Sequence, residues 1–166
     1  MLFRSVFWDV PSGPQFTTSG TVTPNAWTHI AVTRQSGTIR GYINGVYQTS
    51  VSDSTSFNSS GANENFFYNF DGSSSKYFPG YSTDVRINTT TALYTGASNF
   101  TPPASPLTAV SGTALLCNFT NGAIYDNAEV ADYETVGNAQ ISTSVKKYGT
   151  GSLAFDGTGD NLYTAN

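Results

Sequence analysis

The stretch Trp27-Thr28-His29-Ile30-Ala31-Val32-Thr33-Arg34, then Gln35-Ser36-Gly37, then Thr38-Ile39-Arg40-Gly41-Tyr42-Ile43-Asn44-Gly45, decides the fold class. Its first eight residues are rich in β-branched and aromatic types, which fit a pleated, half-buried surface. Gln35-Ser36-Gly37 reads as a short turn. Asn44-Gly45 is the strongest short hairpin signal, because a two-residue turn needs positive φ at both positions. Val46-Tyr47-Gln48 then opens a third antiparallel strand. By period-two alternation Ile30 and Val32 share one face, and Ile39 and Ile43 share one face of the partner strand, with Gly41 between them. The other face of that partner carries Arg40, Tyr42 and Asn44. The pattern predicts a sheet with one face on the core and the other open, polar and bearing an aromatic.

Working outward, the same alternation and turn punctuation predict strands near 2–8, 15–22, 27–35, 38–44, 46–51, 65–70, 79–87, 113–119, 138–142, 151–156 and 160–164. Asp53 to Gly61 reads as a long polar surface loop, and Asp71 to Ser75 as a turn. Thr101 to Pro106 holds three prolines, two of them adjacent, and cannot be a central strand. Residues 101–112 are therefore read as a linker or edge segment. Gly151 to Tyr163 reads as two strands around a Gly-rich turn, with Asp156-Gly157 as a hairpin turn.

Composition agrees. The 166 residues suit one domain with a sizeable core. Aromatics reach 14% while charged residues are only 11%, so Ser, Thr, Asn and Gly must keep the surface wet. A net charge of −4, with scattered basic residues, excludes a nucleic-acid surface. No apolar run approaches a membrane span or a signal peptide. The lone Cys117 allows no intrachain disulfide and reads as a buried small hydrophobe.

With these residues in view, the chain resembles laminin-G-like, concanavalin A-like jelly rolls. Trp27-x-His29-x-Ala31 followed by Tyr42-x-Asn44-Gly45 resembles a signature of that family. Phe78 to Ile87 is similar to a later strand of the family, where a Gly and an Asp precede an apolar-Arg-apolar run, and Ala92-Leu93-Tyr94 is similar to its closing segment. Gly149 to Gly157, with Phe155-Asp156-Gly157, resembles an early strand. The resemblance implies an all-β, two-sheet antiparallel jelly-roll sandwich and a buried Trp27. It also places the family's later strands in 1–100 and its early strands in 113–166, on either side of the linker, within one domain spanning 1–166. A piece of a tandem array and a circular permutant, closed in one chain or strand-swapped between two, both fit that order.

Chemistry is sparse. Glu129, Asp132 and Glu134 form the one acidic cluster. Retaining jelly-roll glucanases need two carboxylates about 5–5.5 Å apart. Asp132 and Glu134 share a strand face by even spacing, but Glu129 does not, and the cluster reads as a loop between strands. Calcium is common in the resembled superfamily. Asp53, Asp71, Asp156 and Asp160 stand in loops without a recognised metal spacing, so a calcium site stays open. Asp84, ahead of a strand, is read as bonding local backbone. Sugars are held by aromatic stacking plus amide, carboxylate and guanidinium hydrogen bonds. The candidates are Trp8, Arg40, Tyr42, Tyr47 and Tyr68, with Asn69 and Asp71 beside them. The expected function is a non-catalytic module binding carbohydrate or a cell-surface glycan, of the kind found on phage or bacterial surface proteins. An extracellular or virion-associated setting goes with it, and no membrane or nucleic-acid partner. A purely structural repeat, able to form homo-oligomers by strand exchange, and a jelly-roll glycosidase are the alternatives.

Overall fold

The computed structural model describes residues 7–8, 16–54, 65–66, 68–70, 75–119 and 133–164. Among them there is no helix, and every strand pairing is antiparallel. The chain divides into two compact units, Met1–Phe57 with Thr91–Ala104, and Asn58–Thr90 with Ser105–Asn166.

The first unit pairs β1 (Phe7–Trp8) with β2 (Phe16–Thr17) and builds a sheet from β3 (Ile30–Gln35), β4 (Thr38–Ile43) and β5 (Val46–Ser52) in that order. Both turns of this meander are as the sequence demands. Ser36 and Gly37 have φ of 49° and 68°, and Asn44 and Gly45 have 50° and 74°. Asn44 also closes the sheet end, donating its N–H to the His29 carbonyl at 2.8 Å and accepting the His29 N–H on Oδ1 at 2.9 Å. A bulge in β5 sets Gln48 apart, since Gly41 faces Thr49 while Tyr42 faces Tyr47. The Gln48 amide oxygen accepts the Gly20 N–H at 2.6 Å.

β4 is buried on both sides, contrary to the one-open-face expectation. Ile39 and Ile43 are 1% and 6% exposed, and Tyr42, on the opposite face, is 1% exposed. The cover over Tyr42 is the segment after Thr91. Tyr94 and Phe100 stack parallel at 3.6 Å, and the Tyr42 ring meets both edge-on. The four shortest hydrogen bonds that hold this cover are Tyr42 Oη to the Gly96 carbonyl (2.5 Å), Thr33 Oγ1 to the Tyr94 carbonyl (2.7 Å), Phe100 N to the Gly45 carbonyl (2.9 Å) and Tyr47 N to Asn99 Oδ1 (3.0 Å), with Tyr42 Oη also reaching the Tyr94 carbonyl. Gly45 is required twice over there, by its positive φ and because a Cβ would fall on the Phe100 carbonyl oxygen. Two smaller corrections concern the meander's rim. Trp27 is 37% exposed and not buried, because it precedes β3 and has no cross-strand neighbours. Ile30 is 49% exposed because it starts an edge strand, with only Ile43 beside it.

The second unit begins with β6 (Asn65–Phe66), the hairpin β7 (Tyr68–Phe70) and β8 (Ser75–Tyr77), then β9 (Pro79–Ser82) and β10 (Val85–Asn88). After the proline-rich stretch come β11 (Thr113–Cys117), β12 (Tyr133–Val136), β13 (Gln140–Ser142), β14 (Ser152–Asp156) and β15 (Asn161–Thr164). Two sheets have three strands, ordered β13-β14-β9 and β12-β15-β6, and β10 pairs with β11. β6, β9 and β10 thus find their partners among strands from 113–164, while β7 and β8 pair with each other. Leu115, Cys117, Phe119, Leu153, Phe155 and Leu162 form one buried cluster drawn from β11, β14, β15 and the residue Phe119 just past β11, with Phe78, Val85, Ala139 and Ile141 packed against it. Each such side chain contributes roughly 1.5–3 kcal/mol when buried. Cys117, 2% exposed, is the small hydrophobe its sequence context implied.

Here too the chain departs from simple patterning. The stretch expected as one strand over 79–87 breaks at Thr83-Asp84, where Asp84 has φ of 53°. Asp84 does not bond local backbone: its Oδ1 accepts the Leu107 N–H at 3.0 Å and the Asn118 amide. That bond, with Arg86 Nη1 donating to the Thr108 carbonyl at 3.0 Å, ties residues 107–108 of the strandless proline-rich stretch to β10. β8 falls where a turn was expected at its first residue, and β12 where a loop was expected. Asp53, placed in a surface loop by its polar surroundings, is 5% exposed, and its N–H bonds the Gly37 carbonyl at 2.7 Å. Residues 55–61 of that loop, 71–74 of the turn and 2–6 of the first expected strand lie outside the described residues.

Candidate functional site

The structure brings three of the sequence candidates together. Arg40, Tyr42 and Tyr47 lie on one side of the β3-β4-β5 sheet, by alternation along β4 and by the Tyr42–Tyr47 pairing. They do not form an open surface. Tyr42 lies under Tyr94 and Phe100, and Arg40, half-buried, turns back to the Thr38 carbonyl of its own strand. Tyr47 spends its hydroxyl on Ser50 Oγ at 3.0 Å. Trp8 stands on β1, and Tyr68 and Asn69 stand on β7; their side chains, and all of Asp71, lie outside the description.

An open concave surface does exist, on the second unit, and none of those residues lines it. In the β13-β14-β9 sheet, Gln140, Ala154 and Tyr81 stand side by side in one cross-strand row. Leu153 and Phe155, which alternate with Ala154 along β14, point into the core at 0% and 5% exposure. The row therefore belongs to the outer face, and Tyr81 is 42% exposed there. A depression of about 320 Å³ is lined by Pro79, Gly80, Tyr81, Asn138, Gln140, Ala154, Phe155 and Asp156. A second, of about 310 Å³, continues along β13 past Ile141, Ser142, Thr143 and Ser144, and shares Tyr81, Gln140 and Ala154 with the first. The two form one trough with a tyrosine wall, an alanine floor and an opposite wall of amides and hydroxyls.

One end of the trough is fixed by a carboxylate lock. β12 leads into β13, and β14 into β15, yet each pair spans two different sheets. The chain therefore crosses between sheets at 137–139 and again at 157–160, and Asp156-Gly157 is not the hairpin turn expected. Asp160, wholly buried, joins the two crossings. Its Oδ1 accepts the Asn138 N–H at 2.8 Å and its Oδ2 accepts the Asp156 N–H at 2.7 Å. Gly137 passes so close, at φ of 78°, that a Cβ would strike the Asp160 carboxylate. Asp156, exposed at the trough's end, accepts the Asn138 side-chain amide on Oδ2 at 3.0 Å and the Thr158 N–H on Oδ1 at 2.7 Å. The Asn138 bond first, and the Thr158 N–H after it, hold the Asp156 carboxyl below the usual aspartate range.

Each Asp160 oxygen accepts a backbone N–H group, and no group of three potential metal-ligating His, Cys, Asp or Glu occurs among the described residues. Of the acidic cluster, Glu134 stands on β12 opposite Tyr163, in a strand and not in the expected loop; its side chain, and all of Glu129 and Asp132, lie outside the description.

Sequence reasoning passed over Tyr81, Asn138 and Gln140 and took Asp156 for a turn residue. The alternation was legible in Asn138-Ala139-Gln140-Ile141-Ser142 and in Ser152 to Asp156. What was missing was the register that sets Gln140 and Tyr81 on either side of Ala154. Comparison with known proteins gives one match: the family model described as the concanavalin A-like lectin/glucanases superfamily, of laminin G type, covers residues 4–96. No curated protein and no solved structure matches significantly.

Proposed function

The chain belongs to the concanavalin A-like lectin/glucanase superfamily, with the jelly-roll β-sandwich as its fold class, and we propose that it is a non-catalytic glycan-binding module. The observation that carries this reading is the Tyr81 trough. It is a solvent-open depression on the outer face of a three-stranded sheet, with an exposed tyrosine in the same cross-strand row as Gln140 and hydroxyls along β13. Such a ring offers an apolar face for the C–H side of a sugar, while Asn138, Gln140 and Ser142 offer donors and acceptors for its hydroxyls. Catalysis would need a positioned acid and nucleophile, and among the described residues that line the trough Asp156 is the one carboxylate.

The test is a glycan array probed with the full chain, with and without calcium. Binding to at least one glycan class, unchanged by a chelator, is the expected result. Absence of binding under both conditions would leave the purely structural repeat as the better account. Because Glu134 stands on a strand, hydrolysis is checked separately: incubation with β-glucans should release no reducing ends, and release abolished by Glu134→Gln would establish the glycosidase alternative.

A further inference from the structure

The trough's shape and charge point to a particular ligand class: we infer that it takes a neutral glycan of at least two rings, one on each side of Tyr81, and rejects acidic sugars. This rests on the glycan-binding reading and deepens it. The two depressions, about 320 and 310 Å³, each lie at the small end of the roughly 300–1,000 Å³ range of ligand clefts, enough for one ring apiece. They share the row Gln140, Ala154, Tyr81, so two rings held there are neighbours in one chain. Two strand spacings of about 4.8 Å set the Tyr81 and Gln140 backbones nearly 10 Å apart. Ala154 between them keeps the floor low.

Among the described residues that line the trough Asp156 is the only charged one, and no described Lys or Arg lines either depression. A uronate or sialate carboxylate would meet Asp156 without a cation to offset it. Like-charge contact of that kind discriminates by penalising the wrong ligand. Asp156 cannot readily relieve the repulsion by taking a proton, since Asn138 and Thr158 both donate to its ionised form. The amides and hydroxyls at the other positions suit hydroxyl groups, and none of them carries charge.

The experiment probes an array of neutral and uronate- or sialate-bearing oligosaccharides of one to four rings. The chains used are the parent, Tyr81→Ala, Ala154→Leu and Asp156→Asn, each first checked for its β-sheet circular dichroism. The expected result is binding of neutral glycans from two rings upward by the parent. Tyr81→Ala should weaken it about tenfold or more, the loss typical of truncating an aromatic anchor. Ala154→Leu, which fills the floor and leaves Tyr81 in place, should weaken it comparably, and it keeps the test intact if Tyr81→Ala does not fold. Asp156→Asn should admit acidic glycans that the parent refuses. Equal binding of acidic and neutral glycans by the parent, full binding of single rings, or binding indifferent to both Tyr81→Ala and Ala154→Leu would overturn the inference while leaving a glycan-binding module. Silence across the whole array would overturn both.

Discussion

Tyr42 and Tyr81 stand on comparable strands with opposite fates. Each lies in a short antiparallel sheet, on the face away from that sheet's buried aliphatic residues. Tyr42 is 1% exposed and Tyr81 is 42% exposed. The difference comes from sequence far away. Residues 94–100 return over β4 and bring Tyr94, Phe100 and four hydrogen bonds to the Tyr42 face. Among the described residues nothing comparable returns over the row of Gln140, Ala154 and Tyr81. An aromatic on the polar side of a strand is thus exposed or a core residue according to whether a later segment covers it.

The sharpest way to break the comparison is truncation of the covered ring. Tyr42→Ala should cost about 3–5 kcal/mol, the range for large buried aromatics, read as a lower denaturant midpoint. A change below ~1 kcal/mol would mean that the 94–100 cover is not packed on it. Next in size is the lock at the trough's end. Asp160→Ala strands two backbone N–H groups and should cost about 3 kcal/mol. Asp160→Asn keeps an acceptor but cannot serve both donors with oxygen, so it should fall between Asp160→Ala and the parent.

A smaller effect is acid-dependent. The Asp156 carboxyl titrates below its unfolded value, so its ionisation stabilises the fold fully above the unfolded pKa. That contribution disappears as the pH falls through the lowered folded value. Asp156→Asn should flatten this acid-side slope, and an unchanged slope would put the linkage elsewhere. Least of all should be felt at Tyr81. Tyr81→Ala should move stability by about 1 kcal/mol, the scale of a part-exposed strand position and well below Tyr42→Ala, while removing the ring from the proposed binding face.

Much of the fold was legible because the decisive signals are local. Ser36-Gly37 and Asn44-Gly45 sit in their two-residue turns, the apolar alternation of β4 and β14 marks buried faces, and the unbroken apolar run of β11 marks a buried strand. What escaped reading was set by contacts distant in sequence. The cover over Tyr42 comes from 52–58 residues further on, and the exposure of Trp27 follows from where β3 begins. Asp156-Gly157 carries a hairpin signature, yet Asp160 draws the backbone into a crossing between sheets. The binding candidates were read from aromatic content, which does not distinguish a covered face from an open one. The trough is assembled from three strands distant in sequence, Tyr81 and Ala154 standing 73 positions apart, and only their register makes it one surface.

The comparison comes down to which tyrosine faces solvent, and nitration with tetranitromethane, mapped by mass spectrometry on the native chain, measures that directly. Tyr81 should be nitrated early, more slowly in the presence of any neutral oligosaccharide that binds, and Tyr42 should not be nitrated until the chain unfolds. Nitration of Tyr42 as fast as Tyr81 in the native chain, or a Tyr81 that stays unmodified, would contradict this expectation.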